Sequence, residues 1–189
     1  MIIALFDQPI NAHSSKSWVQ GLQGSLDDAA KHLGVTSFRE YRLVLDYKEH
    51  VIRVPLVKEG QARALLWPAG MFGRRSYPLA AYLFAVCTYI AGGLSMRQVA
   101  LITRKQFGLD QFSHSTICRA KKRLLRHFGD LKGECLFDPL SSSGKNHPPM
   151  TNSLIGLLRE LLDGVLKEPF LHGERLARYF FLRYQVFLL

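Results

Sequence analysis

Apolar residues recur along the chain in two rhythms, and the change from one to the other divides it into segments. From Tyr41 to Val57 apolar and polar positions alternate: Tyr41, Leu43 and Leu45 share one parity, and Val51, Arg53 and Val54 open a second run after Lys48-Glu49-His50. A period of two puts alternate side chains on one face of a sheet, so the stretch predicts a hairpin of two short strands. Pro55 has no N–H to donate to a neighbour, which predicts that the second strand lies at an edge. Leu65-Leu66-Trp67-Pro68 is a third apolar segment, and Pro68, Gly70 and Gly73 punctuate the connection after it.

The spacing then becomes three and four. Leu79 to Ala91 carries no charged residue and predicts a buried helix with Pro78 at its start and Gly92-Gly93 at its end. Tyr82, Leu83, Val86, Tyr89 and Ile90 are its expected packing positions, and the run is well short of the ~20 residues needed to cross a bilayer. Ser95 with Gln98 has the form of a capping box, so a second helix is expected from Met96. Met96, Val99, Ala100, Thr103 and Phe107 share one face of it, Arg97, Arg104 and Lys105 fall largely on the other, and Gly108 is the stop. Ser113 caps a third helix with Ile117, Ala120, Leu124 and Phe128 as its buried stripe.

Outside this unit the signals are more local. Ser25-Leu26-Asp27-Asp28 before Ala29 to Leu33 predicts a short capped helix ending at Gly34. Pro139 to Pro149 is polar and rich in turn formers, as a linker is. Beyond it Thr151 or Asn152 caps a helix with Leu154, Leu157, Leu158, Leu161, Leu162 and Val165 on one face, ended by Pro169. A last helix from about Gly173 carries Leu176, Tyr179, Phe180, Tyr184, Phe187 and Leu188. These two helices need a cover, supplied by the upstream residues or by a second copy in a homodimer; Arg175, Arg178 and Arg183 argue against a membrane. The expected fold is mainly α with a small β ribbon, built as residues 1–37, a ribbon at 38–76, a three-helix unit at 77–129, a linker at 130–150 and a helical pair at 151–189.

Charge sharpens this picture. The net charge is +10, with cations and acids balanced in residues 1–57, a +9 excess in 58–150 and +1 in 151–189. From Arg97 to Arg126 eight Lys or Arg accompany one acid, Asp110. So dense a like-charged surface repels itself unless an anionic partner neutralises it. Three short helices, the last basic on one side and apolar on the other, form a helix-turn-helix pattern, and double-stranded DNA is the expected partner. His114, Ser115, Thr116, Arg119 and Lys122 are the candidate base-reading set, short groups early in a helix that suits the major groove. Lys121, Arg123 and Arg126, with Arg97, Arg104 and Lys105, complete the DNA-binding set at phosphates. The alternative is a structural or interaction protein whose basic helices meet an acidic partner and whose apolar C-terminal pair oligomerises.

Cys87, Cys118 and Cys135 show no Cys-x-x-Cys spacing, so neither a disulfide framework nor a zinc site is expected. No signal peptide is apparent in Met1 to Asp7, and the expected location is the cytoplasm, at the nucleoid. The chain is not expected to be an enzyme or to hold a cofactor. The seven histidines form no metal motif, and Asp130, Glu134, Asp138, Glu160, Asp163, Glu168 and Glu174 are spaced as solvated faces or caps.

The order of segments adds a resemblance. Ile52 to Val57, Ala64 to Pro68, Arg74 to Leu79, then Gly93-Leu94-Ser95-Met96-Arg97-Gln98-Val99-Ala100 with Phe107-Gly108-Leu109 and Phe112 to Ile117 resembles the N-terminal part of bacterial insertion-sequence transposases and related stand-alone DNA-binding proteins. In that group a small zinc ribbon precedes a homeodomain-like helix-turn-helix. The resemblance spans residues 38–127 and implies binding to transposon-end or operator DNA through Ser113 to Lys122, alone or beside a transposase or other protein partner. It fails at Lys58-Glu59-Gly60-Gln61, where such ribbons carry Cys-x-x-Cys, so zinc is not expected and the ribbon must find stability from the helices around it. Transposase chemistry needs three carboxylates on a further catalytic domain, for which the residues after the third helix are too few and too apolar.

Overall fold

A computed structural model of the chain describes residues 2–3, 10, 12, 14–59, 62–68, 70–71, 77–130, 164, 167–171 and 173–174. They form a mainly helical protein with one small sheet. The order is β1 (Ile2–Ile3), α1 (Ser15–His32), β2 (Phe38–Leu45), β3 (Lys48–Glu59), β4 (Ala62–Leu66), α2 (Leu79–Gly92), α3 (Met96–Phe107) and α4 (His114–Asp130). The sheet runs β1-β4-β3-β2, antiparallel except for the short β1–β4 pair. No described helix is long and apolar enough to cross a membrane.

The hairpin turns two residues earlier than its hydrophobic rhythm suggests. Leu45 pairs with Lys48, so the turn is Asp46-Tyr47 and Lys48-Glu49-His50 already belong to β3. Both turn residues take positive φ, 52° and 56°, the pattern of a two-residue hairpin whose twist matches its strands. Neither is glycine, so the conformation is strained and must be held from outside. It is: the amides of Asp46 and Tyr47 donate to the carbonyls of Phe107 and Gly108 at 3.0 and 2.6 Å, and Ser15 Oγ donates to Asp46 Oδ1 at 3.1 Å. Two carbonyls orphaned at the end of α3 are thereby satisfied by the hairpin tip. Gly108 makes this approach feasible, since it sits at φ +58° and an added Cβ would lie 2.4 Å from Asp46 Cα.

Pro55 does not place its strand at the sheet edge: β3 lies between β2 and β4. The ladder explains how an interior strand tolerates it. Leu56 donates to the Ser37 carbonyl at 2.8 Å, so the Phe38–Pro55 pair exchanges no bonds and the nitrogen of Pro55 points toward the β4 side. Pairing with β4 begins only at Leu56. The stretch of β3 before it is thus an edge on that side, and α1 covers it. Gln23 Oε1 accepts from the Arg53 amide at 2.9 Å while its Nε2 donates to the Arg53 carbonyl at 3.4 Å. A side-chain amide here stands in for a neighbouring strand.

Helix α1 starts well before the expected Ser25. Its N-cap is Ser14, in a reciprocal capping box with Ser17, and Trp18, Leu22, Leu26 and Ala30 form a buried stripe at intervals of four. Trp18, Leu22 and Leu26 join Leu43, Leu45, Ile52 and Val54 of the sheet and Leu83, Val86, Val99, Phe107, Ile117 and Leu124 of the helices in one continuous core. Val51, which opens the second alternating run, is 55% exposed, and its neighbour Ile52 is buried.

Residues 131–163, 165–166 and 175–189, which hold nearly all of the expected linker and C-terminal helical pair, lie outside the described residues. Gly164 and Lys167 are helical, Glu168 is not, and helix resumes at Pro169 rather than near Gly173. Proline suits a first helical position, where no N–H is needed. Phe170 stacks on Trp18 with centroids 5.1 Å apart and meets Phe107 edge-on at 5.8 Å. Glu174 is buried, contrary to a solvated placement, and accepts from Trp18 Nε1 at 2.9 Å. Burial raises its pKa to about 7, a rise that the bonds from Trp18 and the Gly70 backbone oppose. Gly70 leaves the space this carboxyl occupies.

Candidate nucleic-acid interface

The two capping signals read from the sequence set the geometry of α3 and α4. Ser95 Oγ accepts from the Gln98 amide at 3.3 Å, and Gln98 Oε1 accepts from the Ser95 amide at 3.0 Å. The helix buries Val99, Ala100, Thr103 and Phe107, with Thr103 Oγ1 donating back to the Val99 carbonyl at 2.8 Å. Arg97 and Lys105 are exposed. Ser113 Oγ accepts from the Thr116 amide at 3.3 Å, starting α4. Ile117, Ala120 and Leu124 are buried, while His114, Arg119, Lys122 and Arg123 are exposed. Arg126 and Phe128 belong to α4, but their side chains lie outside the described set.

Ser115 and Thr116 are half-buried, their hydroxyls within 2.7 and 3.0 Å of Ser113 Oγ. The three hydroxyls form one cluster where the first amides of α4 also point. Ser113 Oγ uses its donor and both lone pairs in its bonds to these two hydroxyls and the Thr116 amide, whereas the Ser115 and Thr116 hydroxyls each retain hydrogen-bonding capacity, since a hydroxyl carries one donor and two lone pairs.

Among the candidate cations, Arg104 and Lys121 make contacts within the fold itself. Arg104 reaches the turn between α3 and α4, donating from Nη2 to the Asp110 carbonyl at 2.6 Å and from Nε to the Leu109 carbonyl at 3.5 Å. Lys121 lies with Nζ 5.0 Å from the centre of the Tyr89 ring, joining α4 to α2. Beneath the turn, Tyr77, Tyr82 and Phe112 form a ring cluster with centroids 5.3 to 6.2 Å apart. Burial raises the pKa of Tyr77, Arg104 opposes the rise and Asp110 adds to it. Sequence spacing gave no sign of this turn-bracing role.

The ribbon residues do not fit a zinc ion. Lys58 pairs with Arg63 and Glu59 with Ala62, leaving no sulfur donor at the β3–β4 turn, and among the described residues no three His, Cys, Asp or Glu converge. Cys87 is buried in α2, where desolvation pushes its thiol up to about 12, and Cys118 lies in α4. Cys135 is outside the described residues. No family model, curated protein or solved structure matches this chain.

Proposed function

We propose that the chain binds double-stranded DNA in a sequence-specific way, with α3 and α4 as a helix-turn-helix and α4 in the major groove. It acts as a transposase-derived or regulatory protein of the nucleoid. The observation that carries this reading is the division of α4: Ile117, Ala120 and Leu124 are buried while His114, Arg119 and Lys122 face outward. An amphipathic helix with short polar groups early and cations later matches the requirements of groove reading and phosphate contact.

Selection of bound sequences from a random duplex pool is the direct test, and a pool that never converges defeats the sequence-specific reading. If about five to eight cations meet phosphates, log affinity falls against log salt with a slope of roughly −4 to −7. A slope near zero excludes phosphate neutralisation.

A second reading has its own support. Leu101 and Ile102 on α3 are 62% and 40% exposed, an apolar spot among cations that would suit an acidic protein partner. A preferred duplex that competes far better than random DNA distinguishes the first reading from this one.

A further inference from the structure

The molecule treats its strand edges unequally. The part of β3 that β4 does not reach is blunted by Pro55 and by Gln23, whose side chain bonds the Arg53 amide and carbonyl. Proline and covering side chains are standard protections against strand addition. Strand β2 is the sheet edge on the other side, eight residues long, and among the described residues carries neither device. In its ladder with β3, Phe38–Pro55 is a pair that exchanges no bonds, so Phe38, Glu40, Arg42 and Val44 direct their backbone N–H and C=O away from the sheet.

We propose that this edge pairs antiparallel with β2 of a second copy, about a two-fold axis at Tyr41. The four outward-bonding residues leave few symmetric registers, and their charges choose among them. Centring on Glu40 sets Glu40 against itself, and centring on Arg42 sets Arg42 against itself; both place like charges directly opposite. Centring on Tyr41 pairs Glu40 with Arg42 twice and Phe38 with Val44 twice. The same face then joins opposite charges and apolar neighbours at every bonded position. Phe38 is 36% exposed and the Arg42 side chain 75% exposed, so both are accessible to a partner. Arg42 already lies 3.5 Å from Glu49, and a second Glu40 would place the guanidinium between two carboxylates. An isologous contact of this kind is the commonest route to a closed dimer, and it is independent of DNA binding.

Sedimentation equilibrium on the full chain tests this without DNA. The unmodified protein is expected to show a monomer–dimer equilibrium. Glu40→Arg sets cations opposite one another twice and should raise the dissociation constant at least about tenfold, whereas Glu40→Arg with Arg42→Glu restores it to within about threefold. A protein monomeric at every concentration, or a dimer that Glu40→Arg leaves unchanged, overturns the proposal. Amide exchange on the unmodified chain guards against variants that misfold. The amides of Glu40, Arg42 and Val44 should become more protected as concentration rises, and exchange that ignores concentration overturns it too.

Discussion

The sheet and the three-helix unit carry their positive charge under different terms. In the sheet, cations alternate with acids and settle on them: Arg42 with Glu49 at 3.5 Å, and Arg53 with Asp27 of α1 at 3.7 Å. Arg39 and Arg53 also lie over the rings of Tyr41 and Phe38. Between Arg97 and Arg126 the sequence supplies eight cations and only Asp110. The fold engages Arg104 and Lys121 there, through backbone carbonyls and a ring rather than through carboxylates. The sheet thus keeps acids beside its cations, whereas the helical stretch has a single acid, and it is this like-charged density that the proposed DNA contact would neutralise.

The largest expected effect tests whether the two regions share one stability. Ile117→Asp places a charge in a fully buried position and should cost about 3–5 kcal/mol. Because one core connects α4 to the sheet, the loss should appear as a single thermal transition displaced by roughly 10 °C or more. Separate melting of the sheet by circular dichroism would break the molecule into two independent units.

Next comes the buried carboxyl that belongs to neither charge pattern. Glu174 has a folded pKa of about 7 against an ordinary 4.5, so the folded state holds its proton more tightly than the unfolded chain. Its contribution is therefore fully present below about pH 4.5 and is lost as pH rises through 7, by up to roughly 3 kcal/mol. Denaturant titrations at pH 5 and pH 8 should show this fall. Glu174→Gln, which cannot ionise, should flatten it; an unchanged profile would assign the dependence to other groups.

The smallest effects sharpen the comparison most directly. Arg119→Ala should leave stability within about 0.5 kcal/mol and lose about 1–3 kcal/mol of binding on a preferred duplex, with much less lost on random DNA. Arg42→Ala should change stability by less than about 1 kcal/mol, as an exposed ion pair does, and leave duplex affinity of the monomer unaltered. Equal losses of affinity for the two variants, read by fluorescence anisotropy, would erase the distinction between the regions.

The three-helix unit was legible in sequence because its signals are local. Ser95 with Gln98, Gly93, Gly108 and Ser113 act on neighbours within a turn, and the buried stripes follow from spacing alone. Helix α1 was hidden by Gly21 and Gly24, which lower helix propensity in the half of it that precedes Ser25. The recurrence of Trp18, Leu22, Leu26 and Ala30 every four residues was the signal that could have revealed it. Pro55 misled for a different reason: a proline excludes one bond on one side, and only the register of β4 shows that this side is unpaired there. The bracing by Arg104 depends on where a turn bends in space, and the burial of Glu174 depends on a distant Trp18. Neither relation leaves a mark in spacing.

That last distance has a kinetic consequence. Trp18 and Glu174 are 156 residues apart. At a synthesis rate of about 5–20 residues per second, the indole emerges roughly 8–30 s before its acceptor is made. Until Phe170 is made, Trp18, and the ring of Phe107 once it follows, lack the cover that Phe170 gives them, so the nascent chain carries an open aromatic surface that this later segment closes.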